Sequence, residues 1–254
     1  MNLRRFRALT VATLAACGFP HDATSPGAPL AAGGRHVLFI GNSFTYVNDL
    51  PRTVADLASS MGDTIRVSSV ALPNYAVIDH ALGGSNAADV IRREHWDVVV
   101  LQQGPTPSGL DRDTLILAAR FFAPLATAAG GRIAALMTWP GAQQQLQYPS
   151  LFDETRDSCL AEASAAGGTC YPAGEAWRAA WKSDAQLGLY GADGYHPSAL
   201  GTYLTALVIY EEVSGRDVRT LPASGLVGGA HLSATEATVR LLQSAAHETV
   251  TRYR

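Results

Sequence analysis

The sequence predicts an α/β fold in which helices cover both faces of a parallel β-sheet, and three observations carry that prediction. Short apolar runs alternate along the chain with longer segments of helical periodicity. The clearest runs, residues 36–40 and 97–102, have no polar alternation, which is typical of strands buried on both faces. No repeat is evident, and 254 residues can bury one large core, so we expect one domain.

The five predicted strands share a run of apolar or β-branched residues that stops at glycine, proline or a polar residue. In chain order they are residues 36–40, 64–72, 97–102, 132–138 and 169–172. The first stops at Gly41 and the second at Pro73. Parallel strands joined by helical crossovers end at one edge of the sheet, where α/β proteins place their chemistry. We therefore expect the residues after each strand to meet there.

The six predicted helices begin at residues that favour a helix N-terminus. In order they are residues 50–61, 85–93, 111–129, 150–166, 197–213 and 234–252. The predicted starting residues are Asn48 or Asp49 (with Pro51 in the first turn), Ser85 or Asn86, Asp111, Ser150, Pro197 with Ser198, and Ser233. Helix 111–129 has an apolar face formed by Leu115, Ala118, Ala119, Phe122 and Leu125.

Composition excludes several classes of protein. The chain is 47% hydrophobic and 16% charged, which is typical of a globular protein and not of a disordered one. Its net charge of −3 shows no excess of basic residues for binding nucleic acid, so no nucleic-acid partner is expected. After the first few dozen residues no run of about 20 apolar residues predicts a membrane span.

The N-terminus has the anatomy of a secretory signal. Basic Arg4, Arg5 and Arg7 precede the apolar stretch 8–16, and Cys17 follows Leu-Ala-Ala. Leu-Ala-Ala-Cys resembles the bacterial lipobox, which implies cleavage before Cys17, lipid attachment to its thiol and membrane anchoring in the cell envelope. The alternative is an ordinary signal peptide cut at a nearby site. The chain is thus divided into a signal at 1–17, a Pro/Gly-rich tether at 18–34 and a folded domain at 35–254.

The cysteine count is consistent with export. The chain has three cysteines, and lipidation of Cys17 would leave Cys159 and Cys170 as a pair. In an oxidising compartment they can form a disulfide that closes a loop of about a dozen residues. The alternative is two unpaired thiols.

Two distant segments carry the residues of one candidate catalytic site. Residues 39–45 (Phe-Ile-Gly-Asn-Ser-Phe-Thr) follow the first strand, and residues 193–198 (Asp-Gly-Tyr-His-Pro-Ser) come near the end. A serine hydroxyl is a poor nucleophile that needs a base and a group to orient that base. Ser43, His196 and Asp193 can fill these roles. Taken alone, the first segment also fits an ordinary helix-entry turn.

The combination of Gly-Asn-Ser-Phe with Asp-Gly-Tyr-His-Pro resembles the SGNH (GDSL) hydrolases, over residues 36–212 or so. The resemblance implies a flavodoxin-like, three-layer α/β/α sandwich. It implies a serine esterase in which Ser43 is the nucleophile, His196 the base and Asp193 the group that orients the imidazole. It also implies an oxyanion hole built from the turns after the first three strands, with no cofactor.

The chain departs from the family in these turns. Asn42 stands where the motif usually has aspartate. The second block usually supplies a glycine N–H, and here Asn74 is the better candidate because proline precedes it. The third block usually has Gly-x-Asn, which Gln102 or Gln103 replaces. The oxyanion donors would then be the Ser43 and Asn74 N–H groups and one glutamine amide. We favour Gln102 over Gln103; the alternative for both is bonding to neighbouring loop backbone.

Other residues have weaker functional interpretations. Asn42, Trp139 and Tyr195 are predicted to contact substrate. Several residues have structural interpretations instead: His80 is expected to tie a loop to the sheet edge, Trp177 and Trp181 to form a helix packing face, and Asp111 and Asp113 to cap a helix. No metal is expected, because four further histidines are scattered without ligand spacing; they are His36, His95, His231 and His247.

We therefore expect an enzyme that hydrolyses a small-molecule or glycan ester, with O-acetyl groups on carbohydrate as one candidate. A lipase, thioesterase or arylesterase is the alternative within the same fold. A non-catalytic carbohydrate-binding lipoprotein is an alternative from another class. A flavodoxin-like nucleotide binder is disfavoured because the chain has no phosphate-binding glycine loop.

Overall fold

The computed structural model describes residues 34–105 and 109–254. The predicted signal at 1–17, the lipidation site Cys17 and most of the predicted tether lie outside the described residues. The described chain forms a five-stranded sheet in the order β2-β1-β3-β4-β5, and every neighbouring pair in it is parallel. Its strands are β1 (Arg35–Gly41), β2 (Ile65–Ala71), β3 (Val98–Gln102), β4 (Arg132–Leu136) and β5 (Thr169–Tyr171). The predicted parallel α/β fold is confirmed.

Helices cover both faces of the sheet. They are α1 (Ser43–Tyr46), α2 (Leu50–Ser60), α3 (Val77–Asp79), a π-turn (His80–Gly84), α4 (Ala87–Arg93), α5 (Gly109–Ala128), α6 (Ala142–Gln147), α7 (Leu151–Ala166), α8 (Ala173–Ser183), α9 (Ala199–Ser214), a 3₁₀ turn (Val218–Thr220) and α10 (Glu236–Tyr253). A small antiparallel hairpin pairs β6 (Leu226–Val227) with β7 (Ala230–His231).

The continuous apolar run of β1 serves two separate cores. Val37 and Phe39 pack in one core with helices α2, α8, α9 and α10, whereas Leu38 and Ile40 pack in the other with α4 and α5. Side chains alternate between the two faces of a strand, so a strand covered on both faces needs apolar residues at every position. Because each face of the sheet is covered by helices, the molecule has the predicted three layers.

The structure contains elements that the sequence did not reveal. Helix α6 has the sequence AQQQLQ and no buried residue, so no apolar periodicity marks it. The two strands of the β6–β7 hairpin are only two residues long.

The predicted helix at 197–213 begins instead at Ala199, because the Ser198 hydroxyl accepts the Gly201 N–H at 3.2 Å and acts as its N-cap.

Cys159 on α7 and Cys170 on β5 form a disulfide with their Cα atoms 5.7 Å apart, so the predicted pairing is confirmed. Among the described helices, none has both the length and the apolar character needed to cross a bilayer.

Candidate active site

Ser43 lies where β1 turns into α1, at the carboxyl edge of the sheet. Asn42 is the N-cap of α1, and its Oδ1 accepts the Phe44 N–H at 3.1 Å. Ser43 is the first residue of the helix, so its N–H has no partner within that helix. The end of β1 thus presents a hydroxyl and a backbone donor on the same residue.

Folding brings His196 to Ser43 across 153 residues of chain. His196 Nε2 lies 2.8 Å from Ser43 Oγ, and His196 Nδ1 lies 2.6 Å from Asp193 Oδ2. An ionised carboxylate only accepts hydrogen bonds, so Nδ1 carries the proton that it donates to Asp193. In the neutral imidazole Nε2 is then the acceptor, and the Ser43 hydroxyl donates to it. This tautomer is the one that a base for Ser43 requires.

The Asp193 carboxylate is fixed by its own loop. Its Oδ1 accepts the backbone N–H groups of Tyr195 and His196, each at 3.0 Å, while Gly194 adopts a φ of 66° that favours glycine. The hydrogen bond from His196 and then the Tyr195 N–H lower the pKa of Asp193 from 3.8 to about 2. Asp193 is therefore a carboxylate at every pH above about 4, although half of its side chain is exposed.

The loop that carries His196 is held on both sides. Its Pro197 carbonyl accepts the Asn48 Nδ2–H at 2.9 Å, from the turn that follows α1. The His196 carbonyl accepts the Gly191 N–H at 2.7 Å. Because one of these contacts reaches the connection after β1, the positions of the imidazole and the Ser43 hydroxyl are linked.

A cavity of about 380 Å³ opens above Ser43 and His196. Its lining residues are Asn42, Ser43, Phe44, Tyr46, Asn74, Tyr75, Ala76, Gln103, Gly104, Tyr195 and His196. None of these described residues is Asp, Glu, Lys or Arg, so apart from the imidazole the lining is uncharged. Three of them are tyrosines, and Tyr195 packs edge-on against Phe44 at 4.8 Å between ring centroids.

The connection after β2 brings a backbone donor to the same cavity. Asn74 adopts a left-handed conformation with a φ of 60°, which asparagine tolerates better than most residues. Among the described residues, no acceptor pairs with the Asn74 N–H. Gln103 also lines the cavity, and its Oε1 accepts the Val77 N–H at 3.0 Å. The connections after β1, β2 and β3 thus converge, as predicted.

The preference for Gln102 as the cavity-facing glutamine was wrong. Gln102 is fully buried and does not line the cavity, because strand alternation turns it beneath the Ser43 turn. Its Oε1 accepts the Asn42 N–H at 3.0 Å and the Thr45 hydroxyl at 2.7 Å, and its Nε2 donates to Asn42 Oδ1 at 3.0 Å. Gln103, the second choice, faces the cavity instead.

The prediction that Trp139 contacts substrate was also wrong. Its side chain is 1% exposed and stacks on Trp177 with ring centroids 3.7 Å apart. Its Nε1 donates to the Tyr195 carbonyl at 3.2 Å, so Trp139 supports the loop of Asp193 and His196 from below. Trp177 is fully buried, which confirms its predicted packing role.

His80 ties its loop to the sheet edge, as predicted. Its Nε2 lies 2.9 Å from the Gly41 carbonyl and its Nδ1 lies 2.7 Å from Ser85 Oγ. Burial lowers the pKa of His80, so the ring is neutral at pH 7. A neutral ring that donates from Nε2 to Gly41 accepts the Ser85 hydroxyl at Nδ1. The contact holds the carbonyl two residues before Ser43.

Away from this site, one cluster of described residues has metal-ligand chemistry. Ligand atoms of Glu211, Asp217 and His247 lie within 4.8 Å of one another. Glu211 already accepts from His247 Nδ1 at 2.8 Å and from the Val218 N–H at 3.3 Å, and Asp217 is paired with Arg219. These contacts satisfy the carboxylates without an ion and clamp α9 to α10.

Comparison with known proteins identifies solved structures that share this fold. No protein-family model matches the sequence, and no curated protein matches it. A DUF4886 family protein from Bacteroides uniformis matches with a TM-score of 0.73 at 19% identity, over 86% of this chain and 95% of that one. A lipase/acylhydrolase from Enterococcus faecalis matches with a TM-score of 0.56 at 18% identity, over 71% and 96% of the two chains.

A member of the lipolytic G-D-S-L family from Veillonella parvula matches with a TM-score of 0.52 at 15% identity, over 69% of this chain and 96% of that one. Identities this low establish the fold and not the activity. The sheet order, the three layers and these neighbours agree with the fold that the sequence motifs implied. The chain has the α/β/α fold of the SGNH (GDSL-type) hydrolases.

Proposed function

We propose that this protein is a serine esterase that hydrolyses carboxylic esters with Ser43, His196 and Asp193. The observation that carries the proposal is the continuous path of hydrogen bonds from Ser43 Oγ through the imidazole to the Asp193 carboxylate, at 2.8 and 2.6 Å. Those distances are within hydrogen-bonding reach for proton transfer. The path opens directly into the cavity.

In the proposed mechanism His196 Nε2 takes the hydroxyl proton as Ser43 Oγ attacks the ester carbonyl. Asp193 stabilises the imidazolium that forms and keeps the ring in the required orientation. The tetrahedral intermediate collapses when the imidazolium gives its proton to the leaving alcohol. Water, with His196 again as base, then attacks the acyl-serine and releases the acid.

Three donors at the cavity can stabilise the oxyanion in this proposal. They are the Ser43 N–H, the Asn74 N–H and the side-chain amide of Gln103. Donors of this kind stabilise a transition state by about 3 kcal/mol each when they are fixed before the charge develops. Two features support such preorganisation: the left-handed backbone at Asn74 and the hydrogen bond from Val77 that orients Gln103.

The lining of the cavity favours an ester substrate whose alcohol portion carries no charge. Its described lining contains no Lys or Arg to bind a carboxylate or phosphate, and its tyrosines offer aromatic faces and hydroxyls. O-acetylated carbohydrate fits this lining, and lipase, thioesterase or arylesterase activity is the alternative, favoured by the lipase/acylhydrolase among the structural neighbours. A purely carbohydrate-binding role would not need the aligned Ser43, His196 and Asp193.

Labelling with a fluorophosphonate tests the proposal directly. The expected result is one covalent adduct, mapped by peptide mass spectrometry to Ser43, because among the described serines this one is hydrogen-bonded to an imidazole that a carboxylate orients. Release of p-nitrophenol from a series of acyl esters would then rank acyl length. Absence of labelling and of ester turnover would favour the binding-protein alternative.

We further propose that the protein is exported and anchored to a membrane through lipid on Cys17. The support is the basic and apolar N-terminus followed by Leu-Ala-Ala-Cys, together with a disulfide in the folded domain. In a bacterial host, globomycin is expected to block processing of the full chain and to leave it at precursor mass. Cys17→Ser is expected to prevent incorporation of labelled palmitate. Normal processing under globomycin would contradict lipidation.

A further inference from the structure

The turn that carries Ser43 is fastened to β3 by a pair of amide side chains. Gln102 Oε1 accepts the Asn42 N–H at 3.0 Å and Gln102 Nε2 donates to Asn42 Oδ1 at 3.0 Å, so the two residues close a ring of two hydrogen bonds. Gln102 Oε1 also accepts the Thr45 hydroxyl at 2.7 Å. Gln102 is fully buried and Asn42 is 8% exposed, so solvent does not compete for these bonds.

Asn42 also reaches the connection after β2. Its Nδ2 donates to the Tyr75 carbonyl at 2.9 Å, while its Oδ1 accepts from the Phe44 N–H and from Gln102. These partners fix the orientation of the amide, because a flipped amide would set donor against donor at Phe44 and oxygen against oxygen at Tyr75. One side chain therefore joins three connections at the sheet edge.

The close approach of Gln102 depends on the residue before Asn42. A Cβ on Gly41 would collide with Gln102 Oε1 and would lie 2.7 Å from Thr45 Oγ1. Glycine at this position leaves the space in which the Gln102 amide meets the Ser43 turn. The arrangement is built by residues from two strands and is not a chance contact of surface side chains.

The chemistry of the Tyr75 carbonyl explains why position 42 holds an amide. A carboxylate could still accept from Phe44 and from Gln102, but it has no hydrogen to give to Tyr75. It would place a charged oxygen about 2.9 Å from the carbonyl oxygen, in a partly buried site. The residue next to Tyr75 is Asn74, which lines the same cavity as Ser43.

We propose that Asn42, anchored by Gln102, is a positioning residue that sets the Asn74 donor relative to the Ser43 hydroxyl and its N–H. The proposal rests on the proposed esterase function, since it assigns a role in that reaction. In this role Asn42 acts through protein groups: its Oδ1 accepts two hydrogen bonds and its Nδ2 donates to the Tyr75 carbonyl. Its loss would misplace donors that bind the oxyanion, which lowers kcat more than it raises KM.

The test compares Asn42→Asp and Gln102→Glu with Gln243→Glu. Gln243 is the matched control because it is also fully buried and donates through Nε2 to a backbone carbonyl, that of Pro222 at 2.9 Å, on α10 away from the site. We expect Asn42→Asp and Gln102→Glu to lower kcat on p-nitrophenyl acetate by about 10²-fold with KM within threefold. Gln243→Glu is expected to keep kcat within twofold.

A second readout is independent of turnover. Amide hydrogen exchange in the segment 72–77 is expected to be at least about tenfold faster in Asn42→Asp than in the wild type or Gln243→Glu, because the tie to Tyr75 is lost. Asn42→Ser, which keeps an N-cap oxygen but cannot reach Tyr75, should show the same change if Asn42→Asp folds poorly.

Wild-type kcat in the position-42 and position-102 variants, or unchanged exchange in the segment 72–77, would overturn the positioning role. An inactive wild type whose exchange still responds to Asn42→Asp would instead count against the esterase proposal alone. The two failures are therefore distinguishable.

Discussion

Changing Ser43 to alanine is expected to lower kcat/KM for p-nitrophenyl acetate by about 10⁴-fold or more, close to the rate without enzyme. The substitution removes the hydroxyl that donates to His196 Nε2, so the proposed acyl-enzyme cannot form. The substitution leaves the proposed oxyanion donors at Asn74 and Gln103 in place, so we expect substrate affinity to change little. Stopped-flow or plate kinetics with matched enzyme concentrations measure this loss.

Ser183→Ala is the control for the Ser43 experiment. Ser183 is an exposed serine at the end of α8 whose hydroxyl donates to the Ala179 carbonyl of its own helix at 3.4 Å. It should keep full activity and should still be labelled by a fluorophosphonate. Equal turnover by the Ser43→Ala protein and the wild type would remove the basis of the proposed mechanism.

Replacing Asp193 with asparagine is expected to cost about 10³-fold or more in kcat although the two side chains have the same shape. The N–H groups of Tyr195 and His196 require an oxygen at the Oδ1 position, so the amide nitrogen is directed towards His196 Nδ1. A donor there leaves Nδ1 as the acceptor and moves the ring proton to Nε2. Such an imidazole cannot accept the proton of Ser43.

The low pKa of Asp193 limits what the pH dependence of activity can reflect. Asp193 has a pKa of about 2, below its ordinary 3.8, so it is already ionised above pH 4. Any loss of kcat/KM on acidification between pH 4 and 7 therefore does not come from protonation of Asp193. The depressed pKa also means that the Asp193 contribution to stability is present above pH 3.8 and is lost as the pH falls through about 2.

Asp157→Asn is the matched control for Asp193→Asn. Asp157 is about half exposed, like Asp193, but it pairs with Arg156 on α7. Its neutralisation should leave kcat and the pH profile unchanged. An Asp193→Asn protein with near wild-type kcat would show that the carboxylate does not set the imidazole tautomer.

Local sequence patterns determined much of this molecule. The apolar runs of β1 and β3 predict buried parallel strands because alternation across two covered faces leaves no room for polar positions. The spacing of Asp193 and His196 predicts their contact because three residues of one turn bring a carboxylate to an imidazole. The pairing of Cys159 with Cys170 was likewise predictable from their number and spacing.

The choice between Gln102 and Gln103, and the burial of Trp139, depended on tertiary structure. Both glutamines suit an oxyanion donor by residue type, but only the register of β3 against the Ser43 turn directs Gln102 beneath Asn42 and leaves Gln103 at the cavity. Trp139 follows β4 at the sheet edge where the site lies. It is nevertheless buried, because Trp177 of α8 stacks on its ring.

The sequence by itself determined which groups can react, because a nucleophile, a base and an acid are properties of residue type and short spacing. Tertiary structure decided which donors surround them, because the direction of a side chain at a strand end depends on what packs against it from elements far away in the chain. The 2.8 Å contact between Ser43 and His196 depended on sequence and on tertiary structure. The motifs predicted it, and the folded sheet edge brings the two side chains together.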